Sequence, residues 1–168
     1  RNLGLKTDEL FEKLVRRCEL VATNFDNNTL MFKHRTFAEY LYAESLKNAD
    51  DLSIDNRAFN LYWMNVFFFY LGLQKDNPEL LLELINLSPK SEPEQWVKIS
   101  NMSNYLLASY ATEYDIISEG ITQIVIDAAT LYKNILSGKE DSPFAHLSQM
   151  TILFILQYII RSSYSFEF

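Results

Sequence analysis

The sequence predicts a mainly α chain: a partial winged helix with a two-stranded hairpin, followed by an antiparallel helical bundle or a short, irregular α-solenoid. Three observations carry this expectation. The 168 residues include only 4 glycines and 4 prolines, too few turn-makers for a many-stranded sheet. Hydrophobic residues are 48% and charged residues 22% of the chain, the balance of a globular protein able to bury a substantial core. After residue 56, apolar residues recur at helical spacing between legible start and stop signals.

The elements follow in order. Residues 6–21, KTDELFEKLVRRCELV, place Leu10, Phe11, Leu14, Val15 and Cys18 on one helical stripe. Thr7 is the expected cap there, and acidic residues occupy the first turn. In residues 20–33, two apolar runs flank NFDNN, a polar segment suited to closing a hairpin. Thr36 and Glu39 form a capping-box pattern opening a helix of about 36–48. The polar stretch 48–56 is read as a boundary, dividing the chain into 1–48, the end of a winged-helix module with its linking helix, and 49–168, a helical domain.

In the second part, a strongly apolar helix is expected over 57–73, ending near Gly72. Asn77 and Pro78 supply an N-cap and a first-turn proline for a helix over 78–87. Ser91 and Glu94 offer a second capping box for a helix to about 110. Thr112 is the expected cap of a long helix over 113–137, with Gly138 as its stop. Ser142 and Pro143 are expected to open a last helix to about 162, and the residues after it to be frayed or extended. No repeat occurs at a fixed period, so a solenoid would be irregular.

Composition narrows function as well. The net charge is −7 and the pI about 4.8, which disfavours a long nucleic-acid footprint because such binding draws on Lys and Arg. The helix over 7–19 carries Lys13, Arg16 and Arg17 but also Asp8, Glu9, Glu12 and Glu19, so DNA binding through it ranks last. The two most apolar stretches, 61–73 and 150–160, are shorter than the roughly 20 residues that cross a bilayer. Cys18 is the sole cysteine, so no internal disulfide forms, and a helical position favours inert packing. No secretory leader opens the sequence, and a cytoplasmic location is the expectation.

No phosphate-binding P-loop, dinucleotide fingerprint, cysteine pair or zinc-binding HExxH motif occurs. His34 and His146 are far apart and lack a cysteine partner, so no metal site and no catalytic residue is assigned. The one local basic cluster is Lys33, His34 and Arg35, immediately before Thr36. A helix N-terminus offers free N–H groups and partial positive charge, and a basic trio beside it suits an anion such as phosphate. The plainer alternative turns Lys33 and Arg35 outwards into water and packs His34 at the base of the hairpin.

The stretch FKHRTFAEYLYAESL, residues 32–46, resembles the junction between the winged helix and the following helical domain in NACHT-type STAND NTPases. Phe32, His34, Arg35, Thr36, Phe37, Glu39, Tyr40 and Ala43 stand at matching places. Residues 67–85 are similar to the helical stretch that follows in that family, and residues 88–168 match only in being helical. The resemblance implies that His34 contacts the β-phosphate of ADP and helps hold a closed, inactive state. An imidazole suits that role, since it donates a hydrogen bond and gains charge near pH 6.5.

By the same resemblance, the chain is the C-terminal regulatory and sensor region of a signalling NTPase, one candidate setting being bacterial anti-phage defence. ATP or ADP with magnesium would belong to the parent protein, with no cofactor held by this part. The implied partners are the upstream nucleotide-binding module of the same chain, a protein trigger, and further copies when activated. No nucleic acid or membrane is expected as a partner. A different class of reading makes the chain a helical scaffold that binds a protein or peptide, with no nucleotide link. The 12 Phe and 10 Tyr suit such a groove, because aromatic anchors dominate interfaces.

Overall fold

The structure, a computed structural model, describes residues 9, 12, 13, 20–24, 29–47, 52–138 and 142–164. Of the helix expected over 6–21, only Glu9, Glu12 and Lys13 are described, and they are helical. The Thr7 cap and Cys18 lie outside the described residues. The hairpin is formed by β1, Val21–Asn24, and β2, Thr29–Phe32, antiparallel with Val21 opposite Phe32 and Asn24 opposite Thr29. The Lys33 amide donates to the Leu20 carbonyl at 2.9 Å and extends the ladder by a step.

Six helices follow among the described residues: α1 Arg35–Lys47, α2 Met64–Gln74, α3 Pro78–Asn86, α4 Glu92–Ala108, α5 Tyr114–Leu136 and α6 Gln149–Tyr164. α4 is the hub, touching α2, α3, α5, α6 and a short 3-10 turn at Asn56–Phe59. α1 packs along α2, so the helix assigned to 1–48 lies directly on the first helix of 49–168. The mainly helical architecture with a two-stranded hairpin is the one expected.

Where the punctuation is self-contained, the elements begin and end as the sequence indicates. The Asn77 side chain accepts the Leu80 amide at 3.0 Å and Pro78 opens α3. Gly138 takes φ +63° just past α5, the left-handed position that glycine occupies without Cβ strain.

Elsewhere tertiary partners displace the local pattern. Thr36 and Glu39 do not form a capping box: the helix starts at Arg35, and the Glu39 carboxylate is held by Arg35 and Asn65. Ser91 precedes α4 without a side-chain cap, and Glu94 accepts from the Lys90 amide at 2.7 Å and from Asn56 Nδ2 at 3.2 Å. Thr112 does not cap α5, which starts behind Glu113. Ser142 opens a turn rather than a helix: its hydroxyl accepts the Phe144 amide and donates to Glu92 Oε1 at 2.8 Å. Ser148 takes the capping role on α6 by accepting the Thr151 amide at 3.1 Å.

The helix expected over 57–73 is divided. The Asp55 carboxylate accepts the Arg57 amide and Nε at 2.9 Å, and the Asn60 side chain accepts the Tyr62 amide at 2.8 Å. Such local bonds compete with a helical backbone, so a 3-10 turn and a bend come before α2. The hydrogen bonds from Arg57 hold the Asp55 carboxyl below its ordinary pKa. Gly72 lies inside α2, and Lys75, at φ +66°, ends it. At the other end of the chain, Tyr164 remains helical and buried.

The core gathers Phe67, Leu81, Leu84, Ile85, Ile99, Met102, Leu106, Ile124, Leu131 and Ile152, each less than 2% exposed. Gly120 lets α5 close on it, because a Cβ there would stand 2.8 Å from Leu106 Cδ2 and 3.0 Å from Ile85 Cδ1. Three polar side chains pin the core. Lys98, 3% exposed, donates to the Ile85 and Leu87 carbonyls at 2.8 and 3.0 Å and pairs with Asp127 Oδ2 at 2.7 Å. The ammonium thus has two carbonyl acceptors and a carboxylate in ion-pair contact, and the charge sits where the C-terminus of α3 favours a cation. Tyr105 donates to the Ala58 carbonyl at 2.6 Å, tying the 3-10 turn to the hub. The Tyr164 hydroxyl donates to the Ile99 carbonyl and accepts the Ser103 amide, tying α6 to α4.

Candidate functional site

The β2–α1 junction is short because β2 ends at Phe32 and α1 starts at Arg35, leaving Lys33 and His34 to make the bend. The His34 carbonyl accepts the Phe37 amide at 3.1 Å, which fixes the entry into the helix. The His34 side chain is exposed, its ring 6.3 Å from that of Phe37 and tilted to it. It stands beside the first turn of α1 and does not pack at the base of the hairpin. Lys33 is exposed as well.

Arg35 departs from the expected trio. Its Nε pairs with Glu39 Oε1 at 2.6 Å, one turn along the helix, and its Nη2 donates to the Tyr62 carbonyl at 2.5 Å. The guanidinium carbon lies 4.9 Å from the centre of the Tyr62 ring, within cation–π range. Glu39 is buried and its second oxygen accepts from Asn65 at 2.9 Å. Arg35, Glu39 and Tyr62 line a shallow cleft of about 380 Å³ between α1 and α2, with Ala38, Tyr42, Trp63 and Val66 completing its walls. The charge of Arg35 is therefore spent on the α1–α2 seam, and His34 is left as the imidazole at the helix start.

The seam was partly legible. Arg35 and Glu39 stand four apart, the spacing at which helical side chains meet. Nothing local indicated Asn65 or Tyr62. Lys98 and Asp127 were missed altogether, although Lys98 shares the spacing of the buried Met102 and Tyr105, which was the available signal.

What these residues could hold is limited. An exposed imidazole at the start of a 13-residue helix fits one hydrogen bond to an anion such as a phosphate oxygen. Further contacts to a nucleotide would need a loop of backbone amides, and the sequence has no P-loop. Among the described residues no group of three His, Cys, Asp or Glu could hold a metal ion, and His146 is exposed in the turn before α6. No described helix is long and apolar enough to cross a membrane.

Comparison with known proteins gives a family match. Residues 104–168, from the end of α4 through α6, match the family described as NACHT C-terminal helical domain 1. The match falls on the part of the chain where sequence reading found helical pattern alone, and not on the 32–46 motif. No curated protein and no solved structure matches the chain.

Proposed function

We propose, from the premise that residues 104–168 are a NACHT-type C-terminal helical part, that this chain is a regulatory region of a NACHT-like signalling NTPase. It works without chemistry of its own, packing on the nucleotide-binding module when ADP is bound and moving away on activation. That is a two-state element biased by a ligand. A protein trigger and an immune-type output such as anti-phage defence belong to the same reading.

His34 is the residue through which the region senses ADP. The observation that supports it is its exposure beside the first turn of α1, open to a diphosphate presented by an upstream module. The bound nucleotide supplies the anion, and magnesium and the remaining contacts come from the parent protein. This chain supplies one imidazole N–H and a helix end.

The test is His34→Ala in the full-length protein, with nucleotide content measured after purification. Reduced ADP retention and raised basal output are expected, with the fold unchanged by circular dichroism. Unchanged ADP occupancy would overturn the proposal. The second reading, a helical scaffold with no nucleotide link, is favoured by exposed aromatics such as Tyr62, Tyr110 and Tyr158; equal affinity for a protein partner with and without ADP would establish it instead.

A further inference from the structure

We propose that the outer face of the α5–α6 hairpin is a two-fold interface with a second copy of this chain. The two helices run antiparallel, with the Tyr132 hydroxyl 3.4 Å from the Gln149 carbonyl near their joined ends. Between them lies an apolar groove of about 320 Å³, floored by Ala128 and Leu156 and edged by Val125, Tyr132, Leu153 and Ile160. Beside the groove each helix exposes apolar side chains. Val125, Ile126 and Leu136 do so on α5, and Met150, Leu153, Phe154 and Tyr158 on α6. Ile126 is 51% and Phe154 59% exposed, although solvent-facing helix positions are ordinarily polar.

The charges on this face choose the occupant. On α5, the exposed positions 119, 122, 126, 129 and 133 follow one another at helical spacing and lie on one side of the helix. Its ends are opposite in sign: Glu119 stands seven residues before Ile126 and Lys133 seven after. A two-fold axis at Ile126 would therefore set Glu119 of one copy against Lys133 of the other, twice. The α6 stripe, from Met150 to Tyr158, is centred on Phe154, and counting from the Tyr132–Gln149 contact brings residues 126 and 155 level, one residue from that centre. One axis serves both helices.

Area suits a weak, reversible contact. α6 is 16 residues, about 24 Å long, and two adjacent helices are about 20 Å wide. Such a face projects to about 500 Å² per partner, at the small, transient end of interface sizes. A self-complementary patch is what a two-fold contact requires.

The test uses sedimentation velocity on the 168-residue chain between about 1 and about 200 μM, where a small interface of modest strength populates. A concentration-dependent dimer is expected. Phe154→Glu should abolish it, and because Phe154 is exposed the fold should survive. Should that variant unfold, the charge pair still decides. Glu119→Lys and Lys133→Glu should each weaken the dimer about tenfold, since every change acts at two symmetric contacts, and the double swap should restore it. A chain that stays monomeric throughout overturns the proposal. So does a dimer indifferent to these substitutions, or a face captured in the full-length protein by a different domain in place of a second copy.

Discussion

The α1–α2 seam and the surroundings of α4 use the same kinds of side chain to opposite ends. At the seam, Arg35 is half exposed and shares Glu39 with Asn65 beside an open cleft. At the hub, Lys98 is sealed, donating to two carbonyls and ion-paired with Asp127. Both are i-to-acid pairings between a cation and a carboxylate. The carboxylates differ the other way, Glu39 being 7% and Asp127 25% exposed, so it is the burial of the cation, 4% exposed for Lys98 against 52% for Arg35, that makes loss of the second pair the greater threat to the fold. A polar group thus pins the fold where water is excluded, and stays exchangeable where water remains.

The contrast can be tested in order of expected effect. Lys98→Ala should cost about 3 kcal/mol in urea unfolding, because it strands a half-buried carboxylate and two carbonyls. Lys98→Met with Asp127→Leu should recover most of that loss, since apolar groups can replace a buried pair. Gly120→Ala should cost about 1–3 kcal/mol by overpacking against Leu106 and Ile85.

The buried phenols give a pH signature. Burial raises the pKa of Tyr105 and of Tyr164 above the ordinary 10.0. Each hydroxyl stays neutral in the fold while the unfolded chain ionises, so its contribution is complete below pH about 10 and is lost as pH rises beyond it. Melting temperature should fall steeply above that pH, and less steeply in Tyr105→Phe. At neutral pH that variant should lose about 1–2 kcal/mol, as the Ala58 carbonyl loses its donor. Smallest of all, Arg35→Ala should cost about 1 kcal/mol, and His34→Ala less than about 0.5 kcal/mol. A large loss in either would make the seam a pin like the hub and erase the distinction.

The same distinction explains what could be read from the residues alone. Asn77 with Pro78, and Gly138, were legible because each acts on backbone within a few positions of itself. The patterns at Thr36–Glu39, Ser91–Glu94 and Ser142 look equally local, yet their side chains are claimed by Asn65, Asn56 and Glu92, 26 to 50 positions away. Spacing cannot reveal such a claim. His34 was legible as a residue before a helix, and its exposure follows from the brevity of the bend. The turning of Arg35 towards Tyr62 depends on how α1 meets α2, which no local pattern states.

The Tyr164 hydroxyl touches the Ile99 carbonyl and the Ser103 amide, a pair four residues apart that one turn of helix would join to each other. A tug on the last turn of α6 is thereby delivered to the middle of the hub rather than dissipated at a loose end. Mechanically, the two helices behave as a lever and its fulcrum, and the amide proton of Ser103 becomes a gauge whose exchange rate reads the strain.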